Sequence, residues 1–402
     1  MILVRKLINF YRRRGLAATS RTVMRVLRDG TVAAPLSVDD SLGFVTDRPK
    51  YLPIASSEEG FRYSPKRVNI VIPSFGKHSG GHTTIFRWVR LLEQAGIDVE
   101  FYLVGQSEFL TESEISRTVS EHYFPLKARF RLKVEAMRPA DCVVATEWRT
   151  AYAVRDFPNC REKFYFVQDF EPSFFSASSQ SVLAEQTYRW GFKCITAGKW
   201  LKSVMEGYGN QAVSFDLAYD SEFYRQPPQP AFPPKRVVFY ARHVTPRRGF
   251  ELGILALELL RQRHPDVEIV LYGWKEFEDR VSFPFVNGGV LSHAELAKLY
   301  QGARVGLSLS LSNYSLVPQE MLACGLPVVE ARLPSVQAAY PAASPGILLT
   351  EVTPEALADS LDLALREEAG VHEKRRFAAA ALVDGLTWEK SMQPAVEWLR
   401  EV

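Results

Sequence analysis

Two doubly wound α/β domains that face each other across a cleft, preceded by a helical leader, are the architecture this sequence predicts. Three observations carry that expectation. From Val68 onward, apolar runs of strand length alternate with helical patterns; the chain then breaks at Gln226 to Pro234 (QPPQPAFPP); and the alternation restarts at Arg236. Such alternation means parallel sheets with crossover helices. Proline can continue neither element, so the break reads as a stiff linker between two halves. Doubly wound domains bind ligands outside the carboxyl ends of their strands, and two of them face to face therefore form an interdomain cleft.

Residues 1–67 read as a leader that is helical and then loop-rich. Its start, MILVRKLINFYRRRG, has too short an apolar stretch for a secretory signal and its basic residues follow that stretch, so it is neither a signal peptide nor a spanning helix. Leu3, Leu7, Ile8 and Tyr11 recur at helical spacing, while Arg5, Lys6, Arg12, Arg13, Arg14, Arg21, Arg25 and Arg28 decorate the rest. That is the pattern of a basic interfacial helix, which predicts peripheral contact of residues 1–28 with an anionic membrane; a helical extension packed on the first domain is the alternative. Asp29 to Pro65, interrupted by Gly, Pro, Ser and acidic residues, has no sustained period.

The first domain, 68–225, is expected to hold strands at Val68 to Pro73, Val99 to Val104, Asp141 to Thr146, Lys163 to Gln168 and Phe192 to Ala197, with helices such as Thr83 to Ala95 and Val182 to Trp190. After the linker at 226–234 the second domain, 235–386, repeats the order. Its strands are expected at Arg236 to Ala241, Val267 to Tyr272, Arg304 to Leu309 and Pro327 to Val329. Its helices are expected at Gly249 to Arg263, Ser292 to Tyr300, Ser315 to Ala323 and Pro354 to Arg366, with a further helical segment behind them. An amphipathic pattern closes the chain at Trp388 to Val402.

Composition narrows the function classes. A length of 402 residues suits two or three domains, and 47% hydrophobic with 24% charged residues is an ordinary globular balance. The net charge of +3 is too small to imply a nucleic-acid partner. Cys142, Cys160, Cys194 and Cys324 lie in mostly apolar surroundings with no CxxC pair, so they read as buried reduced thiols, in keeping with a cytoplasmic protein.

The run Ser308 to Val329 (SLSLSNYSLVPQEMLACGLPVV) concentrates the chemistry. It reads as a strand entering a loop, a helix capped by Ser315 and carrying Glu320, a Gly-Leu-Pro break and another strand. Backbone N–H groups at such a helix start suit a phosphorylated ligand. Arg242, Arg247 and Arg248 follow the first strand of the second domain, and guanidinium groups hold diphosphate oxygens bidentately without a metal. Solvated surface arginines, and a glutamate favoured merely by the helix dipole, are the plain alternatives. Gly80 and Gly81, between the first strand and its helix, let backbone approach a ligand, or simply make a turn. No Asp-x-Asp motif stands at a strand end, so no metal is expected.

Glu320 to Val329 (EMLACGLPVV) is similar to the signature of the retaining glycosyltransferases of the GT-B, family 4 type, in which a glutamate and seven residues precede a second glutamate heading E-[AM]-M-A-x-G-x-P-V-[VI]. The earlier glutamate falls at Ser312 here, and with Asn313 and the SLVP element beside it the chain most resembles the WsaF-like rhamnosyltransferase branch. Asn69 to Arg87, Phe164 to Trp200 and Phe239 to Leu252 support the same branch, and the resemblance spans about 68 to 402.

The resemblance implies a GT-B fold of two Rossmann-like domains, a donor domain at 235–386 and an acceptor-side domain at 68–225 completed by a terminal helix at 387–402. It implies transfer of a sugar, L-rhamnose from dTDP-L-rhamnose, with retention, onto a cell-surface polysaccharide or lipid-linked glycan at the inner face of the membrane. No cofactor is implied. Arg242 and one of Arg247 and Arg248 would neutralise the leaving diphosphate, Glu320 would bond the ribose, and Asn313, Tyr314 and Ser315 would hold diphosphate or sugar. Asp169, with Glu171 near it, would project from a strand end towards sugar or acceptor; His82 is an alternative acid/base or acceptor contact, or a satisfied loop histidine. Gly80 and Gly81 match the family's first loop. The departing phosphate would itself take the acceptor proton, leaving the enzyme to position and to stabilise charge. A UDP- or GDP-sugar transferase and a silent glycan- or nucleotide-binding scaffold are the alternatives.

Overall fold

The structure, a computed structural model, describes residues 67–402 apart from 78, 106, 108, 228–231, 278–279, 341–343 and 402, together with 38, 42–47 and 49–51 of the leader. The expected contact of residues 1–28 with a membrane lies outside the described residues. Two parallel sheets organise the rest. In the first domain β1 (Arg67–Pro73), β2 (Asp98–Val104), β3 (Arg129–Arg131), β4 (Ala140–Ala145), β5 (Cys160–Val167), β6 (Lys193–Ala197) and β7 (Ala212–Phe215) pair in the order β3-β2-β1-β4-β5-β6-β7. In the second β8 (Arg236–Tyr240), β9 (Glu268–Tyr272), β10 (Val286–Gly289), β11 (Val305–Leu307), β12 (Val328–Ala331) and β13 (Ile347–Thr350) pair as β10-β9-β8-β11-β12-β13.

Side chains alternate across a strand, and a sheet covered on both faces buries both sets. Strand β8 shows it: Val237 and Phe239 enter one core, and Val238 enters the core on the opposite face. On the first side α6 (Phe250–Arg263) packs against α10 (Pro354–Arg366); α7 (His293–Gln301), α8 (Leu316–Ala323) and α11 (Ala369–Ala381) occupy the other. The first sheet is covered by α1 (Gly80–Gln94), α2 (Glu112–His122), α3 (Trp148–Asp156) and α5 (Lys199–Gly207), while α4 (Ser179–Gln186) packs through Ala184 on Trp148 and Tyr152 of α3. A short helix, α9 (Pro334–Gln337), meets α5 across the domain boundary.

The last helix, α12 (Trp388–Arg400), returns to the first domain. Trp388, Met392, Ala395, Val396 and Leu399 are buried in that core, and burying side chains of this size contributes about 1.5–3 kcal/mol each for the larger ones. Arg87 of α1 clamps the return: its guanidinium stacks over the rings of Phe124 (4.9 Å) and Trp388 (4.8 Å) and pairs with Asp220 at 2.8 Å. The described part of the leader also docks on this domain, with Phe44 against Trp148 at 5.2 Å and Tyr51 against Phe157 at 5.0 Å.

Two elements differ from expectation, and β5 ends one residue early. The helix expected at Val182 to Trp190 starts earlier, at Ser179 capped by Ser178, and tightens into a 3-10 turn at Thr187–Arg189. The strand expected through Leu309 pairs only over Val305–Leu307, releasing 308–315 as a loop. Strand β5 stops at Val167, and Pro172 fixes the start of a 3-10 turn at Glu171–Phe174, so Asp169 and Glu171 do not lie along one extended segment.

Candidate active site

The carboxyl ends of both sheets converge on the cleft. On the second-domain side, the chain leaves β8 through Arg242, makes a 3-10 turn at Pro246–Arg248 and enters α6 through Gly249. Gly249 adopts φ 57°, the left-handed region, and a Cβ there would lie 2.9 Å from a Leu309 methyl, so the turn presses directly onto the loop 308–315. Three arginines thus fall within seven residues of this turn. Arg242 donates from Nε to Thr245 Oγ1 (3.2 Å) with its cation 5.6 Å from the Trp274 ring, and Arg248 lies 5.9 Å over Tyr240.

Arg247 crosses the cleft. Its Nε stands 3.1 Å from Asp169 Oδ2 and its guanidinium packs 4.2 Å over the Phe174 ring of the first domain. Burial and the neighbouring Arg248 push the Arg247 guanidinium down from its ordinary value, and Asp169 opposes them. Burial raises the Asp169 carboxyl, held back by Arg247 and by a hydrogen bond from Ser312. Ser312, which stands where the resembled signature has glutamate, therefore contacts the carboxylate that the first domain supplies.

The loop 308–315 is the seam between the domains. Asn313 Nδ2 donates to Gln168 O and Ala197 O, both at 3.0 Å, at the ends of β5 and β6. The Tyr314 hydroxyl accepts from Leu217 N at 2.7 Å, and its ring fills the space beside Gly198. Gly198 sits at φ 93°, and a Cβ on it would lie 2.5 Å from the Tyr314 ring. The side chains of Asn313 and Tyr314, expected at the diphosphate or sugar, are thus engaged in holding the domains together. Their partners lie more than 90 residues away in sequence, out of reach of any local pattern. Ser315 caps α8, its hydroxyl accepting from Val317 N at 3.3 Å.

Glu320 lies within α8, only 8% exposed. Burial pushes its carboxyl up to about 8, Asp220 adds to the rise, and a hydrogen bond from Tyr224 opposes it. The Tyr224 hydroxyl is also 2.8 Å from His293 Nδ1, a pair with no signal in the sequence. On the first-domain side, Gly80 and Gly81 are exposed at the start of α1, and a Cβ on Gly80 would meet nothing within 4 Å. Crowding does not demand glycine at Gly80; the small residue leaves the helix start open to a ligand. A Cβ on Gly81 would be 3.5 Å from Gln168 Nε2, which brings the end of β5 beside this loop.

Two expected groups turn inward. His82 is buried, with Nδ1 2.9 Å from Ser79 Oγ, Nε2 3.4 Å from Pro73 O, and its ring stacked 4.7 Å from Phe75. Burial lowers it to about 4, so it is neutral at physiological pH and both nitrogens serve its own loop. Glu171 is buried between Tyr165, whose hydroxyl donates to its carboxylate, and Tyr188, whose hydroxyl accepts from its backbone N–H at 3.0 Å. Burial and the nearby Glu147 raise it well above the carboxylate range. Among the described residues no group of three or more His, Cys, Asp or Glu is placed to hold a metal ion, and no helix is long and apolar enough to cross a membrane.

Comparison with known proteins identifies this arrangement. Residues 67–197 match the family model "WsaF, N-terminal domain" and residues 235–362 match "WsaF, C-terminal domain", in order along the chain. The O-antigen biosynthesis protein RfbC of Myxococcus xanthus is 34% identical over 271 residues, 64% of this chain; the match spans 21% of that relative's length. Among solved structures, Anabaena HepE in complex with UDP and glucose superposes with a TM-score of 0.62 at 15% identity, over 84% of this chain and all of that one. S. aureus TarM in complex with UDP and a glycerol-linked GlcNAc superposes with a TM-score of 0.66 at 8% identity over the same shares. The chain belongs to the WsaF family, and its two parallel-sheet domains have the fold of the GT-B glycosyltransferases.

Proposed function

We propose that this protein is a glycosyltransferase that moves L-rhamnose from dTDP-L-rhamnose, with retention, onto a cell-surface polysaccharide or lipid-linked glycan. One observation supports it above the others: Arg242, Arg247 and Arg248 follow the end of β8, in the turn that presses on the loop leading to the capped helix of Glu320, and Arg247 meets Asp169 of the opposite domain. Cations and helix N–H groups on one wall suit a nucleoside diphosphate; a carboxylate and an unobstructed glycine turn on the other suit sugar hydroxyls.

Catalysis on this reading is electrostatic. The leaving diphosphate carries more charge in the transition state than in the bound donor, so arginines held in place before reaction favour the transition state over the ground state. They supply this charge in the absence of a metal ion. Arg247 has a carboxylate partner before the donor arrives, and a diphosphate exchanges that partner for a doubly anionic one. With His82 neutral and tied into its loop, the acceptor proton passes to the departing phosphate.

The sugar and base rest on the resemblance to WsaF-like rhamnosyltransferases, and the polysaccharide acceptor is supported by the O-antigen role in the name of RfbC. The UDP found with HepE and TarM supports the alternative of a UDP-sugar, and the basic residues of the leader support a reaction at an anionic membrane face. A thermal-shift titration with dTDP, UDP, GDP and ADP decides the base, since a ligand that binds the native state alone raises stability in proportion to its affinity. Stabilisation by dTDP above the other three is expected; stabilisation by none removes the donor site.

A further inference from the structure

Behind the arginine turn lies a carboxylate that the proposed reaction does not use. Glu330, on β12, is wholly buried, in a strand whose other three residues are Val328, Val329 and Ala331. Oε1 accepts from Ser310 N and from Ala331 N, both at 2.9 Å, and Oε2 lies 3.1 Å from Ser310 Oγ. A buried carboxylate is costly unless its oxygens are met by donors, and here the chain brings three to it.

The segment it grips is the one on which the cleft depends. From Ser310 the loop runs through Leu311, whose N–H donates to Arg247 O at 3.1 Å, to Ser312 on Asp169, Asn313 on the first domain and Ser315 at the cap of the Glu320 helix. Two ionisable groups face Glu330 from other elements. Arg248, in the turn after β8, favours its ionised form; Tyr340, beyond α9, is itself buried and raised well above its ordinary value, hence neutral.

We propose that Glu330 is a positioning residue for the donor site: it anchors Ser310, and through it the loop 308–315, while its charge acts through space on Arg248 in the neighbouring turn. Burial lifts the Glu330 carboxyl to about 7, with its three donors and Arg248 opposing the rise, so the charge facing Arg248 changes within the working range of pH. Ionised, Glu330 sets a negative charge behind the arginine turn, which opposes a diphosphate bound at that guanidinium. Protonated, it keeps the loop and yields the cation. This proposal rests on the donor site argued above.

The test measures dTDP affinity by calorimetry at pH 6 and pH 8 for the wild-type chain, Glu330→Gln, Glu330→Ala and Ser310→Ala. Glutamine keeps the shape and hydrogen bonds but not the charge. Dividing the wild-type dissociation constant by that of Glu330→Gln cancels the titration of the nucleotide itself and of groups common to both proteins. The ratio is expected near one at pH 6 and three- to tenfold higher at pH 8. Glu330→Ala is expected to lose at least tenfold in affinity at both values, and Ser310→Ala two- to fivefold with the wild-type pH response. An equal ratio at both pH values overturns the charge role. Wild-type affinity in Ser310→Ala and in a folded Glu330→Ala overturns the anchor. If wild type binds none of dTDP, UDP, GDP and ADP, the donor reading falls and takes this inference with it, an outcome distinct from a wild-type chain that binds and variants that do not differ.

Discussion

Replacing Glu320 with glutamine is expected to make the protein more stable relative to wild type as pH rises. The unfolded chain releases the Glu320 proton near 4.5, whereas the folded chain holds it to about 8. Below 4.5 both states are protonated and the difference vanishes. Between the two values the unfolded state is ionised while the folded state is not, so wild type loses stability progressively, and above 8 the full penalty stands. Each tenfold change in proton affinity is worth about 1.4 kcal/mol, which bounds the penalty at about 5 kcal/mol and gives about 4 kcal/mol between pH 5 and pH 9. Urea melts of both proteins at pH 5, 7 and 9 read it directly. Glutamine cannot titrate, and Asp220 and Tyr224 remain in both proteins, so the difference isolates Glu320. A gap between the two proteins that stays constant across pH would refute the assignment of Glu320 as a buried, protonated carboxyl. It would also remove the reason to expect that a ribose diol, which donates to the ionised form, lowers this carboxyl on binding.

Arg242→Ala is expected to weaken dTDP binding by about 1.5–3 kcal/mol, the range for hydrogen bonds to charged groups, and to lower turnover further; unchanged affinity by calorimetry places the diphosphate elsewhere. Gly198→Ala is expected to destabilise by about 1–3 kcal/mol from backbone strain alone, with a clash against Tyr314 on top, and Tyr314→Ala in the same chain should relieve only the clash. Strictly additive melting shifts for that pair would show that the two residues do not meet. Sugar transfer is expected to persist in excess EDTA and donor binding to weaken with added salt; loss of activity that Mn²⁺ restores would overturn the arginine clamp. Deleting residues 1–30 is expected to lower co-sedimentation with anionic liposomes at low salt while leaving transfer to a soluble acceptor nearly intact, and equal sedimentation would end the membrane proposal.

The inner parallel strands were legible because both their faces are buried, which writes them as apolar runs such as Val68 to Ile72, broken there by Asn69 alone. Edge strands escaped. Strand β3 is Arg-Phe-Arg and β10 is Val-Asn-Gly-Gly, too short and too polar to stand out. Around the cleft, the places of Arg242 just beyond a strand and of Glu320 within a capped helix were legible from spacing, since a strand end and a helix start place their residues locally. What His82, Asn313, Tyr314 and Glu171 do depends on partners in the folded structure that spacing does not reveal, and Pro172 turns the chain where an extended reading would align two carboxylates. Glu330 was missed for a related reason: one acidic residue after two valines reads as a strand reaching solvent, and only the fold brings Ser310 and Arg248 to it.

The serine at 312 is coherent with this arrangement once charge is counted. Asp169 already supplies a carboxylate to Arg247 from the first domain, and Ser312 donates to it. A glutamate at 312 would bring a second anion beside a carboxyl that burial already raises, and like charges at such range disfavour ionisation of both. A hydroxyl instead satisfies the aspartate without adding charge. The consequence is mechanical as well as electrostatic, because a carboxylate carried by the opposite domain reaches the arginine turn only while the domains are together. Asn313 and Tyr314, fastened to the ends of β5 and β6 and to Leu217, hold that apposition from the same loop. The two walls of the cleft are therefore registered by residues adjacent in sequence, and the carboxylate at the cleft is shared between them rather than owned by the second domain.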